Sequence, residues 1–453
     1  MKLKKNKSYS FETNTDSNTL EEPNYSIDFP VIEKIENHKT INVLSLFSGC
    51  GGMDLGLEGG FIVHKNSVHE KYNPDFVESY VDEHFVKLKS TKFKTVFAND
   101  ILKEAKTAWI HNFGKLGYDS NVFHSESIVD LVKMHKTGVK IFPAKVDIVT
   151  GGFPCQDFSI AGKRNGFNSH KDHNGKIIET EIANEETRGK LYTWMKEVIE
   201  ITKPKIFIAE NVKGLVNLEN VKQIIQDDFS TADENGYIVL DPQVLHAADY
   251  GVPQSRERVI FIGIRKSALK KSALKHLTEK EISSNYNPYP KASHAYNDKS
   301  NGLAVSQTLE NILSLIEEPE YSSDPSQMFY SKAKFMGVHC QGQTEVNLKG
   351  ISPTIRAEHH GNIEYRRLSK ENGGKNENEL KKGLKERRLT PRECGLIQTF
   401  PIDFEFVIPN NKNNTKFLLS PSGAYKVIGN AVPPLLAYHI AKRLEKLWSL
   451  YFK

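Results

Sequence analysis

Short apolar runs recur along the chain, each closed by glycine or a polar turn. Ile41–Phe47, Thr95–Ala98, Val146–Thr150, Lys205–Ala209 and Arg258–Ile264 have the length and β-branched content of buried strands. Helical patterns lie between them. In RGKLYTWMKEVIEIT, residues Leu191, Trp194, Met195, Val198 and Ile199 recur at i, i+3, i+4, i+7 and i+8, which makes one apolar face. Strands alternating with helices predict an α/β fold around a mostly parallel sheet.

The same patterning divides the chain. Residues 1–38 are rich in Lys, Asn, Ser, Thr and Glu without apolar period, and are expected to form a disordered or loosely docked tail. The alternation occupies 39–266 and fails over 267–386, a polar, irregular stretch with prolines at 288, 290, 319, 325 and 353. Core-like sequence returns over 387–453. An inserted smaller domain, closed off by a C-terminal return to the first, is the expectation.

Composition changes this picture little. Of 453 residues, 38% are hydrophobic and 26% charged, with a net charge of +5, which permits nucleic-acid binding without arguing for it. No apolar run approaches the roughly 18 residues of a membrane helix, and the basic N-terminus lacks the apolar core of a secretory signal. A cytoplasmic protein with no membrane partner is expected. The four cysteines, at 50, 155, 340 and 394, form no CxxC pair, so neither a zinc knuckle nor a disulfide framework is predicted. His170, Asp172 and His173 read as a solvated loop, and no metal is expected.

Candidate chemistry collects at strand ends. LFSGCGGMDLGLEGGF sets Gly49, Gly51, Gly52 and Gly56 between the first strand and a helix, where glycine lets a backbone approach a ligand or simply turn. Glu70 and Asp100 each follow an apolar run; such acids hold the ribose diol and the adenine amino group in nucleoside-binding sheets. Cys155, in GGFPCQDFS, ends another strand. Glu210 and Asn211 close the next, in IAENV, and Gln254, Arg256 and Arg258 open the last, in PQSRERV. A carboxylate closing an apolar strand is costly without a partner. Spacing alone leaves Cys155 open between packed thiol, metal ligand and nucleophile; the other three cysteines read as buried thiols.

FSGCGG, GFPCQDFS, ENV, QSRERV, LTPRECGLIQTFP and AYKVIGNAVP stand in this order, and together they resemble the DNA (cytosine-5) methyltransferases. The resemblance covers about 41–450, less the middle of the insert. It implies an S-adenosylmethionine-dependent methyltransferase (Rossmann-like) mixed sheet in 39–266, a smaller, irregular target-recognition domain in 267–386, and a return to the catalytic domain in 387–453. It implies Cys155 as the nucleophile that adds to cytosine C6, Glu210 at N3 and the exocyclic amine, Arg258 at O2, and Arg256 supporting the pocket. The base must be flipped from the duplex to be reached. S-adenosylmethionine contacts are implied at Phe47, Gly49, Gly52, Glu70, Asp100, Pro154, Leu191, Tyr425 and Asn430. DNA contacts are implied at Ser159, Lys163, Arg164, Gln341 and Thr354, with Gln341 filling the hole left by the flipped base.

The implied partners are double-stranded DNA and, functionally, a restriction endonuclease, with the enzyme acting as a monomer. Two alternatives are weighed. The tRNA-methylating branch shares most motifs, but the long insert suits reading base pairs, and that branch usually has Pro-Pro-Cys where this chain has Phe153-Pro154-Cys155. A catalytically silent DNA-binding relative is disfavoured by the presence of Cys155, Glu210 and Arg258. Arg356, Glu358, His359, His360, Arg366 and Arg367 are candidate base contacts, and ordinary surface polarity explains them equally well.

Overall fold

β1 (Ile41–Leu46) alternates between two cores: Val43 packs on one face of the sheet, and Leu44 and Leu46 on the other. In this computed structural model the described residues are 40–154, 191–217, 220–295, 302–337, 343–357, 363–410 and 417–453. The central sheet continues with β2 (Phe93–Asn99), β3 (Phe123–His124), β4 (Ile148–Gly151), β5 (Ile206–Val212), β6 (Tyr237–Val239), β7 (Gln243–His246) and β8 (Glu257–Arg265). Their spatial order is β7-β8-β5-β4-β1-β2-β3, with β6 also paired to β8. β1 to β5 are parallel and β8 runs antiparallel to β5, so the sheet is mixed. All five runs read as strands from the sequence lie in it.

The chain lays β2 and β3 on one side of β1, then β4 and β5 on the other. That reversal opens a crevice at the carboxyl ends of β1 and β4, where sheets of this kind take their ligands. Helices α1 (Gly52–Glu58) and α2 (Lys103–Lys115) cover one face. On the other lie α3 (Ile128–Lys136), α4 (Leu191–Thr202) and α5 (Val221–Ser230). In α4 the buried face is Leu191, Tyr192, Met195, Val198 and Ile199; Trp194 is only half-buried.

Between α1 and β2 the chain inserts a three-stranded antiparallel sheet, in the spatial order Ile62–His64, Phe85–Leu88, Val77–Tyr80. Glu70 lies in its connecting turn.

Residues 39–453 pack as one compact unit. The stretch just past residue 266 is built into the body, since Leu269 bridges Phe452 and the Lys270 N–H donates to the Tyr451 carbonyl at 2.8 Å. Further along the insert, β9 (Gln343–Glu345) pairs in parallel with β10 (Ile363–Arg367). β10 also pairs antiparallel with β11 (Arg387–Arg388), so the return begins by closing the insert's own sheet. The return then forms α6 (Pro391–Ile397), α7 (Pro421–Asn430) and α8 (Pro434–Tyr451). α8 lies so close to α1 that a Cβ on Gly56 would stand 2.3 Å from the Pro434 carbonyl oxygen. Among the described residues no helix is long and apolar enough to cross a membrane.

Candidate active site

The turn after β1 is built from uncommon backbone. Phe47 has φ 53° and Gly49 φ 57°, and a Cβ added to Gly49 would meet nothing within 4 Å, so the turn presents open backbone to the crevice. The end of β2 holds it there. The Ser48 N–H donates to the Asn99 carbonyl at 2.8 Å, and the Asn99 N–H donates to Ser48 Oγ at 3.0 Å. Asp100 follows; its Oδ2 accepts the Gly49 N–H at 3.0 Å and its Oδ1 accepts the Leu102 N–H at 2.8 Å. Burial pushes the Asp100 carboxyl upward, against these two bonds. Behind the turn, Asp54 on α1 is fully buried between Ser45 Oγ at 2.5 Å and Trp109 Nε1 at 2.8 Å, and burial pushes its carboxyl up to about 7.

On the other side of β1, register brings two strand ends together: Gly151 of β4 pairs with Ala209 of β5. The chain beyond Gly151 therefore runs out beside Glu210. Asn211 anchors that segment by donating from Nδ2 to the Phe153 carbonyl at 3.1 Å. Gly152 sits so near the acid that a Cβ there would stand 2.9 Å from Glu210 Oε2. Glu210 Oε1 accepts from Arg258 Nε at 2.7 Å, and each side chain keeps about a tenth of its surface exposed, 11% and 12%. Burial raises the Glu210 carboxyl, opposed first by Arg258 and then by Arg256. A nearly buried carboxyl facing one guanidinium, beside a glycine, can hold an amidine-like edge and carry a proton.

Gln254 and Arg256 lie in the segment that leads into β8, just before Arg258. Both are fully buried. Gln254 Oε1 accepts the Ile355 N–H at 3.0 Å, and its Nε2 donates to Gln398 Oε1 at 3.0 Å. Arg256 donates from Nη1 to the Ile355 carbonyl at 2.9 Å, and from Nη2 to the carbonyls of Gly429 at 2.9 Å and Ala431 at 2.7 Å. One arginine thus ties the insert and the return to the start of β8.

The sequence matches the family model of C-5 cytosine-specific DNA methylases over residues 41–446. The chain belongs to that family. It is 32% identical over 441 residues to the type II methyltransferase M.BsuRI of Bacillus subtilis, covering 94% of this chain and 84% of that one. Identity to M.BspRI of Lysinibacillus sphaericus is also 32%, over 427 residues, 91% of this chain and 83% of that one. Against M.HpaII of Haemophilus parainfluenzae it is 26% over 466 residues, 96% and 98% of the two chains. The family's chemistry is methyl transfer to C5 of cytosine in DNA, dependent on S-adenosylmethionine.

Within this methylase the expected site residues fall into three groups. Phe47 and Gly49 form the turn after β1 and Asp100 holds it, Pro154 follows β4, Glu210 and Arg258 pair at the ends of β5 and β8, and exposed Asn430 ends α7 between the two carbonyls that Arg256 holds. Cys155, Ser159, Lys163, Arg164 and Gln341 lie outside the described residues, as do His170, Asp172, His173, Cys340, Glu358, His359 and His360. The remainder have contacts of their own within the fold, some as expected and some not. Glu70 is exposed in the inserted small sheet, where Oε1 accepts the Tyr80 hydroxyl at 2.6 Å; the strand beside β1 ends in Asp100 instead. Arg256 is spent on backbone carbonyls behind the pocket. Gly52 is required by packing, since a Cβ there would stand 2.3 Å from the Val432 carbonyl oxygen. Leu191 is core, packed in one cluster with Phe153, Tyr192 and Met195. Tyr425 is buried, its hydroxyl donating to the Leu389 carbonyl at 2.7 Å and its ring 3.8 Å beneath the Arg388 guanidinium. The Thr354 hydroxyl donates to the Ser255 carbonyl at 2.5 Å. Cys50 and Cys394 are buried thiols.

Three residues at the site gave no sequence signal strong enough to single out. Ile101 is an exposed apolar side chain directly after Asp100, and Glu126 follows β3, its carbonyl accepting from Asn99 Nδ2 at 2.8 Å. Gln398 joins Gln254 to the Ile428 carbonyl at 2.8 Å. An acid two residues past the third parallel strand was the available clue for Glu126, but β3 has only two residues and shows no periodicity.

Proposed function

We propose that this methylase modifies one cytosine within a specific short duplex DNA sequence, by base flipping and a covalent Cys155–C6 adduct, and that it is the protective partner of a restriction endonuclease. The relatives' printed names, type II methyltransferases, support the last part. The observation that carries the chemistry is the register of β4 against β5, which delivers the chain leading to Cys155 beside the Glu210–Arg258 pair.

Cytosine C5 is a weak nucleophile until C6 gains an electron pair. The Cys155 thiolate supplies it, forming the S–C6 bond, while Glu210 gives N3 its proton. Glu210 also accepts from the exocyclic amine, and Arg258 donates to O2. After methyl transfer, loss of the C5 proton re-forms the C5–C6 double bond and expels the thiolate. Arg256 and Asn211 position this apparatus without touching the base.

The crevice around Gly49 fits S-adenosylmethionine, which supplies an electrophilic methyl group when bound. Gly49 offers bare backbone, Asp100 a carboxylate for the ribose hydroxyls, Ile101 and Phe47 apolar faces for the adenine, and Glu126 an acceptor at the next strand end. Pro154 and Asn430 border the side toward the base. Recognition falls to residues 267–386, with Thr354, Gln341, Ser159, Lys163 and Arg164 on DNA. The enzyme acts as a monomer in the cytoplasm.

Radiolabelled S-adenosylmethionine offered with duplex DNA or with tRNA tests the reading. Label in DNA, absent with Cys155→Ala while cofactor binding persists, is expected. Label in tRNA alone, or undiminished transfer by the alanine variant, overturns it.

A further inference from the structure

Arg366 and Arg367, adjacent on β10, are in the sequence candidate base contacts that ordinary surface polarity explains equally well. The structure turns both inward. Arg366 donates through Nη2 and Nε to Glu379, and Arg367 donates through Nη1 to Glu379 at 2.7 Å and through Nη1 and Nη2 to both oxygens of Glu318. Glu318 is held from its other side by Arg387, through Nε at 2.9 Å and Nη2 at 3.1 Å. Arg387 in turn is bidentate on Glu393, at 2.8 Å twice. Three guanidiniums and three carboxylates thus alternate in one chain, Arg366–Glu379–Arg367–Glu318–Arg387–Glu393. Arg367 and Glu393 keep only 1% of their side-chain surface exposed.

The chain of charges crosses the boundary between modules. Glu318, β10 and Glu379 belong to the insert, and Arg387, the first residue of the return, sits on β11 of the same sheet; Glu393 on α6 is the link that carries the network into the body of the return. Glu393 is also locked locally, as the N3 residue of a capping box with Thr390. Apolar side chains would fill such an interface with equal or better stability, because buried ion pairs barely recover their desolvation. What paired guanidinium forks add is direction: each bidentate contact fixes an angle as well as a distance. The network therefore sets where β10 sits relative to the catalytic body.

β10 carries the rest of its sheet with it. All five of its residues are buried, and β9 hangs on its open edge, beginning two residues after Gln341. Glu345 of β9 collects the N–H groups of Leu368 at 2.9 Å and Lys375 at 2.6 Å, and Gln343 accepts the Met336 N–H at 2.7 Å. A tilt of β10 would be passed to β9 and the segments bonded to it.

We propose that Glu318, the carboxylate shared by Arg367 and Arg387, is a positioning residue for target selection, fixing the recognition sheet's pose on the catalytic body. The proposal rests on the reading of 267–386 as the recognition module. Glu318→Gln removes the charge that holds two arginines together; Glu318→Asp keeps the charge and withdraws it by one methylene. With cognate plasmid and plasmids carrying single-base variants of the target, mapped by bisulfite sequencing, both variants are expected to raise methylation at mismatched sites relative to the cognate by about tenfold. KM for DNA is expected to rise by a similar factor, with kcat at saturation and cofactor affinity near wild type. The Asp variant is expected to retain more of the wild-type Tm than the Gln variant while remaining relaxed in selectivity. Wild-type selectivity and KM in both, with only Tm lowered, would reduce the network to a staple and overturn the proposal. Should Glu318→Gln not fold, Glu379→Gln, which frees the other side of Arg367, is read by the same outcomes. If the wild-type enzyme itself labels no duplex DNA, the underlying functional reading fails first and takes the proposal with it.

Discussion

A methyl group on Gly152 would displace the Glu210 carboxylate. A Cβ there would stand 2.9 Å from Oε2, and moving that oxygen disturbs the contact that Arg258 makes with Oε1 at 2.7 Å. Gly152→Ala is expected to lower kcat by about 100-fold, the cost of an ångström-scale misplacement, with the S-adenosylmethionine dissociation constant within twofold of wild type; steady-state kinetics and equilibrium titration check this. Single positions also separate the two candidate acids. Glu70 spends its carboxylate on Tyr80 in an exposed turn, while Asp100 grips Gly49 at the mouth of the crevice. Glu70→Ala should leave cofactor affinity unchanged, and Asp100→Ala should weaken it by at least about tenfold, the loss of one charge-assisted bond. The sequence showed both acids following apolar runs. What it did not show is which run joins the central sheet, because three short strands of a local antiparallel sheet have the same apolar content as one parallel strand.

At the scale of elements, alternation was the most legible signal. On β5 it places Ile206, Ile208 and Glu210 on one face. Gln254, Arg256 and Arg258 also fall two apart, but β8 begins at Glu257, so only Arg258 lies on it. Periodicity suggests a shared face and says nothing of where the strand begins. Arg258 reaches the acid, while Arg256, two positions away, reaches the backbone of two other segments. The glycine-rich turn was ambiguous for a related reason. Gly49 faces open space, but Gly52 and Gly56 are demanded by the return, whose carbonyls at Val432 and Pro434 come within 2.3 Å of where their side chains would begin. Such a contact joins residues far apart in the chain, so no local pattern encodes it. Gly56→Ala is expected to cost about 1–3 kcal/mol through overpacking, seen as a lowered denaturation midpoint with an unchanged slope. An unaltered midpoint would show that α8 can move away from α1 freely.

Over the whole molecule, the strand-helix alternation and the ordered motifs were enough to predict a mixed sheet and its family. The small inserted sheet and the charge network between modules were not, since each is made by pairing across distance. Another such grouping predicts how the protein responds to acid. His439 on α8 is buried against the rings of Phe76 and Tyr250, with His294 nearby, and burial lowers its imidazole to about 3. His294, bonded to Ser293 Oγ at 2.9 Å, and His64, whose Nδ1 meets Gln307 Nε2 at 2.7 Å, are both lowered to about 4 by burial. Their folded values lie below the ordinary 6.5, so the unfolded chain binds more protons and stability is lost as pH falls from about 6.5 toward 4. Asp54, raised to about 7, works in the opposite direction over the same range, as do Asp100 and Glu210, both raised by burial, while His124, lowered by burial, adds to the three histidines. Tm is expected to fall by about 4 °C between pH 7 and pH 5, and His439→Phe should make the fall shallower by roughly half. Equal slopes in the two proteins would remove His439 from the account.

The three carbonyls gathered by Arg256 bear on when the enzyme can first act. Two of them, at Gly429 and Ala431, are delivered by the ribosome long after β8 has emerged. Until they arrive, a guanidinium two residues from Arg258 has most of its partners missing, and the strand that presents Arg258 lacks the packing that fixes it. A nascent chain that ends before the return therefore lacks the contacts that seat the start of β8. Methyl transfer is expected only from finished molecules, after a delay set by translation of the insert and the return.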